Sequence, residues 1–73
     1  MTDAAAAPSF VLNGESRPLA RRMTVADLLA ALGLDGRKVA VERNEAIVPR
    51  SLYGTTWLAP GDSLEIVHFI GGG

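Results

Sequence analysis

The sequence predicts an α+β domain in which one short helix lies across one face of a mixed sheet. Three observations predict it. Short apolar runs of strand length alternate with tight-turn signals at Asn13-Gly14, Asn44-Glu45 and Ala59-Pro60-Gly61-Asp62. One stretch, Val25 to Leu32, carries its apolar residues at helical spacing. The last apolar run, Ser63 to Phe69, comes long after the first hairpin and is apolar enough to lie centrally, parallel to the first strand.

The first strand is expected at Ser9 to Asn13, with Phe10 and Leu12 on one face and Val11 on the other. Asn13-Gly14 then supplies the two positive-φ positions of a type I′ hairpin turn. The second strand, Glu15 to Ala20, contains Pro18, which donates no ladder hydrogen bond, so it belongs at an edge or ends early. Thr24 is placed to cap a helix, with Asp27 three residues on as a shortened capping box. Val25, Leu28, Leu29 and Leu32 form one stripe, and Gly33 follows where a left-handed C′ residue is wanted. A helix from Thr24 to Leu32 is only about 13 Å long and needs a sheet to lie on.

Arg37 to Arg43 reads as a strand with Val39 and Val41 inward and Lys38, Ala40 and Glu42 outward. Asn44-Glu45 turns the chain, Ala46 to Val48 returns it, and Pro49 stops it. Ser51 to Leu58 has no clean period; a compact connection is expected there, with Leu52 and Trp57 closing the core. Pro60 and Gly61 occupy the central positions of a type II turn. In the last strand Leu64 and Ile66 share one face, and Glu65, Val67 and Phe69 the other. Hairpin, helix, then strands returning beside the first is the β-grasp arrangement. It organises the chain as an N-terminal arm (1–8), a folded domain (9–70) and a glycine tail (71–73).

Size and composition narrow the function. The chain has 73 residues, with 7 Lys and Arg against 8 Asp and Glu, a net charge of −1. A domain this small buries only about 60% of its unfolded surface, leaving little room for a roofed catalytic cleft. With no cysteine, a disulfide scaffold, a thiolate zinc site, an iron–sulfur cluster and a cysteine nucleophile are all excluded. The balanced charge gives no broad field for gripping nucleic acid or anionic lipid. Met1 to Pro8 carries an acid and a short alanine run rather than a signal sequence, and no apolar stretch approaches the roughly 20 residues of a membrane span, so a cytoplasmic protein is expected.

Gly71, Gly72 and Gly73 need an explanation, because ordering glycine costs more backbone entropy than ordering any other residue. One reading is a frayed terminus or a linker remnant. The other is a thread without side chains that enters a narrow channel on a partner and presents the Gly73 α-carboxylate. That carboxylate, with an ordinary pKa of about 3.3–3.7, is an anionic oxygen nucleophile at neutral pH. Attack on the α-phosphorus of ATP would give an acyl-adenylate. This chain has no phosphate-binding loop, so a partner must bring the nucleotide and its Mg²⁺.

Asn13-Gly14, the Thr24–Leu32 helix, the stretch Val39 to Ser51 (VAVERNEAIVPRS), the Pro60-Gly61-Asp62 turn and the end Ile66 to Gly73 (IVHFIGGG) together resemble the ThiS family. These are ubiquitin-like β-grasp sulfur carriers of bacterial thiamine biosynthesis. The resemblance covers nearly all of Ser9 to Gly73. It implies a four- to five-stranded mixed sheet with one main helix and a flexible tail. It implies that the Gly73 carboxylate is adenylated by a ThiF-type enzyme, converted to a thiocarboxylate with sulfur from a donor such as a cysteine desulfurase, and presented to thiazole synthase, ThiG. ATP and Mg would be used by the activating partner, with no cofactor bound to the carrier itself. The arm before Ser9 is longer than the family usually shows, and Gly71 adds a third glycine to the usual pair.

Other residues carry weaker signals. Val67 and Phe69, on the sheet face away from the helix, with Ile70 after them, form a candidate docking patch leading into the tail. His68, the lone histidine, reads as structural. Arg21-Arg22 opposes the helix dipole and reads as a solvated turn or a partner contact. Glu45 and Arg50 flank the IVP segment and read as solvent-facing positions or as a partner contact. Asp27 and Glu42 show no metal-ligand pairing. Tyr53 and Trp57 lack the basic groove of a nucleic-acid stacking platform. Two other functions fit the same tail: a MoaD-like carrier for molybdopterin synthesis, and a ubiquitin-like interaction module or modifier.

Overall fold

The computed structural model of the chain describes residues 7–69. β1 (Ser9–Leu12) and β2 (Glu15–Pro18) form the first hairpin; α1 spans Val25–Ala31; β3 (Val39–Arg43) and β4 (Ala46–Ile47) form the second hairpin; β5 is Ser63–His68. The five strands lie in the order β2-β1-β5-β3-β4. β5 is parallel to β1 and antiparallel to β3, so the last strand is central. This is the mixed sheet expected from the sequence.

Alternation places the core. Phe10 and Leu12 of β1, Val39 and Val41 of β3, and Leu64 and Ile66 of β5 are buried on one face, and Val25, Leu28 and Leu29 of α1 pack into the same cluster. Leu64, fully buried at 0% exposure, is the centre of that face. Burial of a side chain of this size contributes roughly 1.5–3 kcal/mol.

The turns follow their residue chemistry. Asn13 and Gly14 take φ of 50° and 85°, and Asn44 and Glu45 take 53° and 71°, the double positive φ of type I′ hairpins. Gly61 takes φ 87° as the third residue of the Ala59–Asp62 turn, closed by Asp62 N–H to the Ala59 carbonyl at 3.0 Å. The Thr24 hydroxyl accepts from Asp27 N–H at 3.1 Å while the Asp27 carboxylate accepts from Thr24 N–H at 3.0 Å, a complete capping box. The backbone N–H of Thr24 holds the Asp27 carboxyl below its ordinary pKa against the opposing effect of desolvation, with smaller help from the Thr24 hydroxyl and the charge of Arg21.

Two expectations are corrected, and a third is met. Gly36–Lys38 is a 3₁₀ turn rather than the start of β3, because Asp35 caps it: its carboxylate accepts from Arg37 N–H at 2.9 Å and pairs with the Arg37 guanidinium at 2.9 Å. β2 lies at the sheet edge and stops at Pro18, as expected of that proline, although Leu19 N–H still reaches the Pro8 carbonyl at 2.9 Å. Leu52 and Trp57 do not close the core; each is 47% exposed. The segment Arg50–Leu52 is a 3₁₀ turn whose three-residue period swings Tyr53 inward instead. Tyr53 and Leu58 are the buried residues of this connection, and the Tyr53 hydroxyl donates to the Val39 carbonyl at 3.3 Å.

Among the described residues, no helix is long and apolar enough to cross a membrane. Residues 1–6 of the expected arm and 70–73, with the expected tail Gly71 to Gly73, lie outside the described residues.

Candidate functional site

β5 leads directly toward the glycines, and it is the best-anchored strand. Parallel pairing holds one edge: Val11 N–H reaches the Asp62 carbonyl and Asn13 N–H the Leu64 carbonyl, both at 2.8 Å. The Asn13 side chain adds a further rung. Its Oδ1 accepts from Ile66 N–H at 2.8 Å and its Nδ2 donates to the Ile66 carbonyl at 3.4 Å. Along the other edge β3 pairs with β5 from Arg43↔Leu64 to Val39↔His68, and Phe69 N–H donates to the Lys38 carbonyl at 3.0 Å, one residue beyond the strand.

The start of β5 is fixed by a polar knot. Asp62, 6% exposed, accepts from Arg43 Nε at 2.8 Å, Asn44 Nδ2 at 3.0 Å and Ala59 N–H at 2.7 Å. Burial pushes the Asp62 carboxyl up, but the hydrogen bonds from Arg43, Asn44 and Ala59 outweigh it and hold the pKa below the ordinary aspartate value. Asn44 Oδ1 in turn accepts from Ser63 N–H at 2.9 Å. One buried carboxylate thus ties the β3–β4 turn to the β5 entry turn.

Among the described residues nothing covers the sheet face away from α1: Val67 is 60% exposed and Phe69 53%. The structure adds Ile47, 64% exposed. Ile47 is the register partner of Glu42, so it shares the outward face with Glu42 and with Ala40 and Val67, which are partners of each other. The sequence holds the signal for this: a two-residue turn at Asn44-Glu45 pairs Glu42 with position 47, and Glu42 points outward. A shallow apolar groove of about 180 Å³ runs from Phe69 past Ile47, Val48 and Pro49 to Arg50 and Tyr53. Arg50, expected to face solvent, is exposed but lines this groove. On the same face Glu42 and Glu65 are direct cross-strand partners, a like-charge pair that works against the sheet unless a cation lies over it.

The remaining candidates scatter. His68 is exposed at the strand end, and Glu45 is exposed in its turn. Ile70, Gly71, Gly72 and Gly73 lie outside the described residues. Among the described residues, no three His, Asp or Glu side chains gather as a metal site.

The ThiS family model matches residues 10–73. The chain belongs to the ThiS family. A ThiS from Geobacter metallireducens, known as a thiamine biosynthesis protein, superposes with a TM-score of 0.76 at 31% identity, covering 89% of this chain and 99% of that one. The sulfur carrier protein ThiS of Bacillus subtilis is 46% identical over 50 residues, which is 68% of this chain and 76% of that one. A thiazole synthase of Paramagnetospirillum magneticum is 59% identical over 64 residues, which is 88% of this chain. The chain spans only 20% of that synthase's length. A ThiS-like unit is therefore built into a much longer synthase there. The fold of this ThiS-family chain is the ubiquitin-like β-grasp.

Proposed function

We propose that this chain is a sulfur carrier for thiazole formation in thiamine biosynthesis, a substrate of its partners rather than an enzyme. The observation that carries the proposal is the family match running through Gly73, joined to a β5 strand anchored on both edges and flanked by exposed Val67 and Phe69. Rigid presentation of the strand preceding the tail lowers the ordering cost when a partner takes up the glycines.

In the proposed sequence the Gly73 α-carboxylate attacks the α-phosphorus of Mg-ATP held by a ThiF-type adenylyltransferase, and pyrophosphate leaves. The terminal sulfur of a persulfide on a donor of the cysteine desulfurase kind then attacks the acyl carbon, AMP leaves with the C–O bond broken, and a thiol cleaves the resulting acyl disulfide, releasing the thiocarboxylate as the thiol and the donor sulfur form a disulfide. The thiocarboxylate has a far better nucleophile than the carboxylate it replaces, and ThiG, the thiazole synthase, is its acceptor. Thiazole synthases that contain a ThiS-like unit support this acceptor over a molybdopterin synthase. Val67, Phe69 and Ile70 would be read by the partners, with Gly71 and Gly72 entering the channel. A partner surface with an apolar patch and a cationic rim fits Val67, Phe69 and Ile47 beside the Glu42–Glu65 pair.

The test is intact-mass analysis after incubation with ATP, Mg²⁺, a ThiF-type enzyme and a sulfide source. The expected result is an adenylyl adduct without sulfide and an oxygen-to-sulfur exchange with it, both mapped to the C-terminal peptide. Absence of both modifications, or their persistence after removal of Gly72 and Gly73, overturns the proposal.

A further inference from the structure

A second surface lies at the opposite end of β5. The strand starts beside the Ala59–Asp62 turn and runs six residues, about 20 Å, toward the tail. At its starting end Pro8, Leu19, Leu58 and Pro60 line an open apolar groove of about 420 Å³, and Arg21 and Arg22 stand over it.

Both arginines are exposed, and neither forms an ion pair within 4 Å among the described residues. Arg21 acts on Asp27 only through space, and the Asp27 carboxylate is already committed to the Thr24 cap. Arg22 is held: its guanidinium carbon lies 4.7 Å from the centroid of the Trp57 ring. The Trp57 backbone is itself fixed, because it is paired opposite Thr24, with Val25 N–H to the Thr56 carbonyl and Leu58 N–H to the Met23 carbonyl, each at 2.9 Å. Stacking orders one face of the guanidinium and leaves its N–H edge free for a carboxylate. A half-exposed tryptophan under an ordered arginine, beside an apolar groove, is the composition of interface hot spots.

We propose that this groove is a second docking site, which takes an acidic protein segment: an apolar side chain in the groove and carboxylates on Arg21 and Arg22. Unpaired guanidinium groups over an apolar floor select that occupant by charge. The site lies at the other end of β5 from Val67 and Phe69, so an occupant leaves that face free.

Trp57 is the sole tryptophan of the chain and reports on the site directly. The full chain, ¹⁵N-labelled, is titrated with a synthetic peptide of one leucine flanked by glutamates, and with its lysine-flanked counterpart. The expected result is a saturable shift of the Trp57 indole, Arg22 and Leu58 resonances and a change in Trp57 emission with the glutamate peptide alone. Affinity falls at least about tenfold in R22A, the loss of one charge-assisted contact, and further in R21A/R22A. It also falls as salt is raised. Both arginines are exposed, so free variants whose spectra change only around Trp57 confirm that the fold is intact. No shift at Trp57, equal shifts with the lysine peptide, or undiminished affinity in R21A/R22A overturns the proposal. Shifts at these resonances on raising the protein concentration alone assign the groove to a second copy and overturn it as well.

Discussion

The Asn13 side chain binds both backbone groups of Ile66, accepting from its N–H at 2.8 Å and donating to its carbonyl at 3.4 Å, across 53 positions of sequence. A hairpin-turn residue thereby serves as one more rung between β1 and β5. Asn13 also sits at φ 50°, so alanine there would mix lost hydrogen bonds with backbone strain. N13G separates the two, because glycine accepts that φ freely. At roughly 0.5–1.5 kcal/mol per net hydrogen bond, N13G is expected to cost about 1–2 kcal/mol. Amide exchange at Ile66 should accelerate with it, while exchange at Val41 follows only the global loss. Unchanged Ile66 protection would show that the clamp contributes nothing.

Acid should loosen the fold through its hydrogen-bonded aspartates. Asp35 is drawn down to about 2 by the Arg37 guanidinium and then its N–H, and Asp62 and Asp27 also lie below their ordinary values. A carboxyl whose pKa is depressed in the folded state stabilises fully above its unfolded value of about 3.9, and the contribution disappears as pH falls through the folded value. Denaturant midpoints should therefore be flat from pH 7 to about 5, fall below about 4, and still be falling at about pH 2, where Asp35 is only half protonated in the fold. Hydrogen bonds to charged groups contribute more than neutral ones, so D62N should cost about 2 kcal/mol at pH 7 and much less at pH 2. Equal cost at both pH values would remove the Asp62 charge from the explanation.

Where the sequence foretold the fold, it did so through positions with one cheap conformation. Asn13-Gly14, Asn44 and Pro60-Gly61 dictate turn types, and the alternation in β3 and β5 then assigns inward and outward residues without further information. The strand lengths between those turns fix the register that makes β5 central. Ser51 to Leu58 was illegible for a physical reason: a single 3₁₀ turn has no repeat to read, so no pattern ranked Tyr53 and Leu58 above Leu52 and Trp57. Ile47 was readable from hairpin register but was hidden in a strand of two residues. The groove beneath Arg21 and Arg22 joins three distant parts of the chain, and no local pattern announces it.

Glu45 carries a removable strain. It takes φ 71° as the second residue of the β3–β4 turn, a conformation that costs a non-glycine residue roughly 1–2 kcal/mol. Glycine there removes that cost and adds roughly 0.5–1 kcal/mol of chain entropy to be lost on folding. E45G should therefore stabilise the protein by about 0.5–1 kcal/mol, read as a raised urea midpoint with unchanged slope. The neighbouring Asn44 should not respond in the same way, because its side chain holds Asp62 at 3.0 Å and Ser63 N–H at 2.9 Å. N44G, with equal freedom at φ, should destabilise. A destabilising E45G would mean that the glutamate makes a contact more valuable than its strain.

The uncovered face separates stability from recognition. Val67 and Phe69 are exposed, so V67S and F69S remove little buried surface and should change stability by less than about 0.5 kcal/mol each. In the proposed activation reaction they should behave differently. Each truncation at the centre of a docking patch is expected to raise KM for the carrier about tenfold or more while kcat, set by chemistry at the glycines, stays near the wild-type value. Ile47 shares that face through its pairing with Glu42, and I47S should join the same class despite lying far from the tail in sequence. L64A is the opposite control: it empties the core and should cost about 2–5 kcal/mol without a selective effect on KM in whatever fraction remains folded. If V67S, F69S and I47S all react with an unchanged KM, the partner reads the glycines without the sheet. Recognition would then rest on the tail alone.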